Sequence, residues 1–157
     1  MQLLRAINVL TLASLLILTG CLENLTGGMA EDNTEGGDIL WAFGGEDATG
    51  EVSDANDDRL ILVTMSRGAD LNWASVSVNI SINNTPPITC ANNYETSEDY
   101  SCHLVSYGTN DQLWSVGEHV TIVESGEDLC TSACGIEVTI IDTREGRTLD
   151  EAKAVAG

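Results

Sequence analysis

Positive charge is scarce in this sequence: six lysine and arginine side chains stand against 25 aspartates and glutamates, a formal net charge of −19. A surface of that sign repels nucleic-acid phosphates and anionic lipid headgroups, so neither is expected to bind the protein surface directly. It is compatible with solubility in salty water, where charges are screened within about 10 Å. Catalytic signatures are missing too. The chain has no G-x-S-x-G, no H-E-x-x-H, no phosphate-binding P-loop and no G-x-G-x-x-G. Its two histidines, His103 and His119, fall in separate segments, and His119 beside Glu118 reads as the surface residue of a strand. No catalytic residue and no cofactor is expected, and the chain does not read as an enzyme. A long apolar run is also lacking. Ala6 to Leu18, broken by Asn8, Thr11 and Ser14, reaches only about 20 Å as a helix, short of a ~30 Å hydrocarbon core.

What that short run does fit is an export signal. Arg5 is its only preceding charge, and it ends at Leu18-Thr19-Gly20-Cys21, the order of n-region, h-region and small-residue cleavage site of a signal peptide over residues 1–20. The last four residues resemble the lipobox of bacterial and archaeal lipoproteins. The resemblance implies cleavage before Cys21, a lipid on its thiol, and a membrane partner reached through that lipid, on the extracellular face of the cell membrane. Two acyl chains hold a protein stably where one holds it reversibly. The rival reading is a type IV pilin-like amino terminus whose apolar helix is retained for assembly, with Arg5-Ala6 at its processing site. Glu23, Gly27 and Gly28 interrupt such a helix. Every acidic residue lies beyond Cys21, so a chain starting there carries five basic and 25 acidic side chains, a balance of −20. Residues 22–38 hold four glycines and five acids and read, with Cys21, as a flexible acidic tether that spans about 20–25 Å.

From Ile39 onward the periodicity is that of strands. Ala74, Val76, Val78, Ile80 and Ile82 alternate with Trp73, Ser75, Ser77, Asn79 and Ser81, which predicts one strand over Trp73–Ile82 with a buried and a wet face. Leu60–Met65, His119–Glu124 and Ile136–Asp142 predict further strands, Ile39–Phe43 a first one, and Arg144-Glu145-Gly146 a turn into a closing strand at Arg147–Leu149. Pro86-Pro87 should end the Trp73–Ile82 strand. Residues 83–112 read as a long polar loop, and Phe43, Trp73 and Trp114 as core packing. These elements predict an all-β fold, an immunoglobulin-like antiparallel β-sandwich over residues 39–150. Residues 151–157 read as a tail that forms a helical turn or frays.

Apart from Cys21, four cysteines remain: Cys90, Cys102, Cys130 and Cys134. In an exported chain they imply two disulfides with three connectivities. Spacing favours Cys90–Cys102 across the long loop and Cys130–Cys134 across a turn. A four-thiolate zinc site needs a reducing compartment and paired hooks, and only Cys130 and Cys134 are spaced for one. No metal is expected. The nearest candidate is a calcium loop at Asp54, Asn56, Asp57 and Asp58, which lacks the glycine and bidentate glutamate of an EF-hand and reads better as a solvated turn. Asn24, Asn79 and Asn83 begin N-x-(S/T) sequons and are candidate glycosylation sites on an exported chain.

Two motifs of the core carry a family resemblance. Gly68-Ala69-Asp70-Leu71-Asn72-Trp73 before one strand, and Leu113-Trp114-Ser115-Val116-Gly117-Glu118 before Val120-Thr121-Ile122, resemble the β-sandwich domain of archaeal type IV pilins and archaellins over residues 59–143. The resemblance implies a surface-exposed β-sandwich. The long assembly helix of that family is replaced here by the lipobox and tether. The function expected from these features is that of a lipid-anchored, non-catalytic surface protein in adhesion, ligand binding or envelope structure, with a surface protein or glycan as partner. The alternatives are a pilin-like subunit and a small extracellular enzyme.

Overall fold

Val76, Val78, Ile80 and Ile82 are buried, while Ser77, Asn79 and Ser81 between them are only half-buried, the pattern of a strand with one face on a core. The same alternation repeats along the chain. The computed structural model describes residues 39–92, 99–108 and 112–157; the expected signal peptide, the tether, Cys21 and Asn24 lie outside the described residues. Ten strands follow in chain order: β1 (Ala42–Asp47), β2 (Arg59–Arg67), β3 (Leu71–Asn72), β4 (Val76–Ile82), β5 (Ile88–Cys90), β6 (Cys102–Ser106), β7 (Leu113–Trp114), β8 (His119–Glu124), β9 (Cys134–Asp142) and β10 (Arg147–Ala156).

They form an all-β sandwich. One four-stranded sheet runs β1-β2-β8-β6, the other runs β10-β9-β4-β5, and β3 pairs with β7 in a short ribbon. The strands of each sheet pair antiparallel. Ile61, Val63, Met65, Val120 and Ile122 of the first sheet belong to one buried cluster with Val78, Ile80, Val138 and Ile140 of the second. Phe43, Trp73 and Trp114 join that core as expected, and Trp73 and Trp114 stack with centroids 4.9 Å apart.

Both edges of the sandwich are closed. On one side the Phe43 N–H donates to Asp150 Oδ2 at 2.7 Å, which ties β1 to β10. On the other, the Ala91 N–H donates to the Cys102 carbonyl (2.8 Å) and the Leu104 N–H to the Ala91 carbonyl (2.9 Å), beside the Cys90–Cys102 disulfide. The β1–β10 seam depends on Gly45. A Cβ there would stand 3.0 Å from the Lys153 carbonyl oxygen and 3.1 Å from Ile61 Cδ1, whereas one at Gly44 meets nothing within 4 Å. We predict that Gly45→Val costs about 1–3 kcal/mol while Gly44→Val is tolerated; equal urea midpoints for the two variants would contradict this.

Four expectations are corrected. The first strand is β1, shifted to Ala42–Asp47: Gly44 and Gly45 weaken its strand signal, and Gly45 is what lets β10 approach. The strand predicted over Trp73–Ile82 begins only at Val76. Asn72 Oδ1 accepts from the Ala74 N–H (2.9 Å) and caps a single 3₁₀ turn, Trp73–Ser75, so that Trp73 and Ser75 turn inward and Ala74 outward. The stretch read as one long loop, 83–112, contains β5 and β6, and β7, one half of the ribbon, begins at the next residue, Leu113. It opens with Asn83 (φ 49°) and Asn84 (φ 63°) as the centre of a turn closed by the Thr85 N–H on the Ile82 carbonyl at 2.9 Å. That is the left-handed hairpin geometry that asparagine tolerates. Finally, residues 151–157 are no tail: β10 pairs with β9 from Arg147 to Ala156, and the sandwich therefore extends past 150. Its inward residues, Ala152 and Ala156, are small, and their helix-forming composition hid a strand.

Candidate functional site

Strand directions sort the loops into two ends. β1 enters at Ala42 and runs alongside β10, with Phe43 bonded to Asp150 and Gly45 against Lys153. The ends of β1 and β10, the starts of β2 and β9 and the end of β8 therefore lie at the far end from Ala42. That distal end carries residues 48–58, the Asn83-Asn84 turn, and the 125–133 segment between β8 and β9.

One residue organises the 125–133 segment. Glu124 closes β8 and is 1% exposed. Its Oε1 accepts from the N–H groups of Leu129 (2.9 Å) and Cys130 (3.0 Å), and its own N–H donates to the Asp58 carbonyl (3.0 Å). Its Oε2 has no partner. Burial pushes its carboxyl above the ordinary glutamate range and the charge of Asp128 adds to this, while the backbone donors pull back. Four residues beyond Cys130 the chain is stapled by the Cys130–Cys134 disulfide. The loop is thus held at both ends, by a buried carboxylate and by a covalent bond.

That loop forms a wall of a cleft of about 310 Å³. Ile82, Ile88 and Leu129 contribute its apolar part, and Thr85, Glu127 and Asp128 its polar part. Glu127 Oε2 accepts from Ser101 Oγ (2.8 Å), and Asp128 Oδ1 accepts from the Cys130 N–H (3.1 Å). Both acids are fixed in place with a carboxylate oxygen to spare. A second, shallower cleft of about 390 Å³ lies over the outer face of the first sheet between Arg59, Leu62, Tyr107 and His119. There the Tyr107 and His119 rings approach to 5.6 Å.

The residues singled out from the sequence scatter. Cys90–Cys102 and Cys130–Cys134 form the two favoured disulfides, with S–S distances of 1.99 and 2.02 Å. The calcium candidate does not assemble. Asp58 Oδ2 is occupied by the Ser53 N–H (2.6 Å) and Ser53 Oγ (2.9 Å), Asp54, Asn56 and Asp57 are exposed, and among the described residues no group of three His, Cys, Asp or Glu is placed to hold a metal. Asn79 is half-buried mid-sheet and accepts from Thr89 Oγ1 at 2.9 Å. Asn83 is exposed at the distal turn, its Oδ1 accepting from the Gly135 N–H at 2.9 Å. His103 lies in β6 opposite Val123 of β8, four residues along that strand from His119, so the two histidines share no site. Burial lowers the pKa of His103, whose Nδ1 has no partner.

Glu124 and Asp142 were missed by sequence reasoning although a signal existed. Val120, Ile122 and Glu124 are in phase, as are Ile136, Val138, Ile140 and Asp142, so each acid occupies an inward position of a period-two strand. Asp142 serves the opposite end: its two oxygens take the Arg144 N–H (2.9 Å), Nε (3.3 Å) and Nη2 (3.1 Å), and this arginine holds its carboxyl below the ordinary aspartate range. No protein-family model matches the chain, and no curated protein matches it in sequence.

Proposed function

We propose that the chain is the precursor of a lipid-anchored cell-surface protein whose sandwich is a non-catalytic binding or adhesion module. The observation that carries this reading is the pairing of cysteines. Cys90, Cys102, Cys130 and Cys134 are consumed by one another, so Cys21, the last residue of Leu18-Thr19-Gly20-Cys21, is required by neither bridge. Disulfides form and persist in oxidising, exported compartments, which agrees with a signal peptide ahead of them. The strand order adds to this. With the ribbon set aside, β1-β2-β8-β6 and β10-β9-β4-β5 follow the order A-B-E-D and G-F-C of an immunoglobulin-type sandwich with one strand added beside C. Trp73 and Trp114, which belong to the two pilin-like motifs, stack in the core.

The anchor has a direct test. In cells fed a labelled lipid precursor, the mature chain should begin at Cys21, carry the label and fractionate with membranes. Cys21→Ser should lose the label and appear in the medium or remain uncleaved. A retained apolar amino terminus with no lipid would replace this reading with that of a pilin-like subunit.

A further inference from the structure

The distal cleft combines three properties that one kind of ligand satisfies together. Its floor is aliphatic, from Ile82, Ile88 and Leu129, and its rim is anionic, from Glu127 and Asp128. It belongs to a chain of net charge −19, whose field concentrates cations and turns anions away. It also has a fixed shape: Glu124 and the Cys130–Cys134 bridge hold its loop wall, and the Asn83-Asn84 turn holds the other side.

From this geometry we infer that the distal cleft is a docking site for a lysine side chain of a partner protein. A lysine lays its four-carbon stem on apolar surface and keeps its ammonium in a polar setting, which matches an apolar floor ending at two carboxylates. At about 310 Å³, the cleft is at the small end of ligand sites, wide enough for one long side chain and too small for a folded element. An anionic or purely apolar ligand would leave Glu127 and Asp128 repelled or desolvated without a partner. Of the other clefts, the one beside Arg59 is shallower and has no such match of charge, and the one lined by Glu137 and Lys153 has its carboxylate already paired at 2.6 Å.

The inference rests on the domain being a binding module and is independent of the lipid, so loss of the anchor and loss of this site are separate outcomes. The test uses the full chain in detergent with a pentapeptide, acetyl-Gly-Leu-Lys-Leu-Gly-amide, its norleucine analogue, and free cadaverine, read by amide chemical shifts and titration. The lysine peptide should saturate, with shifts centred on Ile82, Ile88, Asp128 and Leu129, and should bind roughly tenfold or more tightly than the norleucine analogue, as loss of a close charge pair predicts. Asp128→Asn, which keeps the Oδ1 acceptor for the Cys130 N–H, should erase that difference. Asp54→Asn, the same charge change on an exposed acid at the same end of the sandwich, should leave the affinity within about twofold. Equal losses in Asp54→Asn and Asp128→Asn would reduce the effect to a diffuse field and overturn the site. So would norleucine binding as well as lysine, shifts centred elsewhere, or no saturation. Cadaverine binding more tightly than the peptide would make the ligand a free polyamine and overturn the partner protein.

Discussion

Trp114→Ala should destabilise the sandwich by about 3–5 kcal/mol, the usual cost of emptying a core aromatic site. Trp114 is 1% exposed and is gripped from several sides. Its ring stacks on Trp73 at 4.9 Å and 13°, and Phe43 meets it at 4.8 Å and 53°. Its Nε1–H donates to the Glu118 carbonyl at 3.1 Å. It is carried on a two-residue strand, β7, paired only with Leu71 and Asn72 of β3, so the ribbon that seats it has little backbone pairing of its own. Against a typical stability of about 5–15 kcal/mol, the loss is large enough to lower the urea midpoint steeply with the disulfides intact.

A matched pair of milder variants separates packing from hydrogen bonding. Trp114→Phe loses the bond from Nε1–H to the Glu118 carbonyl, which keeps only the Met65 N–H, whereas the Trp73 Nε1–H is buried with no acceptor. Trp73→Phe therefore removes an unsatisfied donor along with some packing, and it should be the cheaper change by about 1 kcal/mol. If Trp114→Ala cost under about 1 kcal/mol, below the range for any buried aromatic, the aromatic stack would not be the keystone of this core.

The strands that could be read in advance were those whose side chains alternate cleanly. The stretch Val76–Ile82 and the strand β9 satisfy the period-two rule over six or more residues, because each lies inside its sheet with one face on the core; β8, buried on both faces from Val120 to Glu124, is the exception, legible from its β-branched residues. The elements that escaped are governed by something alternation does not encode. Asn72 interrupts a formally perfect pattern by capping a turn, which inverted the reading of Trp73, Ala74 and Ser75. Gly45 serves a seam between sheets, a tertiary requirement invisible to strand propensity. β10 is built on alanines whose merit is smallness against its neighbours. The disulfides were legible from parity and spacing. The distal cleft was not, since Ile82 and Ile88 meet Leu129 only after the chain has crossed between sheets.

Glu124 offers the sharpest electrostatic test. Glu124→Ala leaves the Leu129 N–H without its acceptor and the Cys130 N–H with Asp128 Oδ1 alone, a loss of about 1–3 kcal/mol. Glu124→Gln keeps an oxygen in the Oε1 position and should restore most of it. The two acceptor variants then differ from each other only with pH. Because burial raises the folded-state pKa of Glu124, its proton is bound more tightly in the folded than in the unfolded chain. The stability it contributes is fully present below the ordinary glutamate value and is lost as pH rises through the elevated one. Wild type should therefore lose ground to Glu124→Gln as pH rises above the ordinary glutamate value of 4.5. Asp142 acts in the opposite sense: Arg144 depresses its pKa, so its contribution is present above the ordinary aspartate value and is lost as pH falls through the depressed one. Asp142 is common to both chains and cancels in the difference of their urea midpoints, which isolates Glu124. Parallel pH profiles for wild type and Glu124→Gln would mean that the carboxylate of Glu124 is solvated in the folded protein.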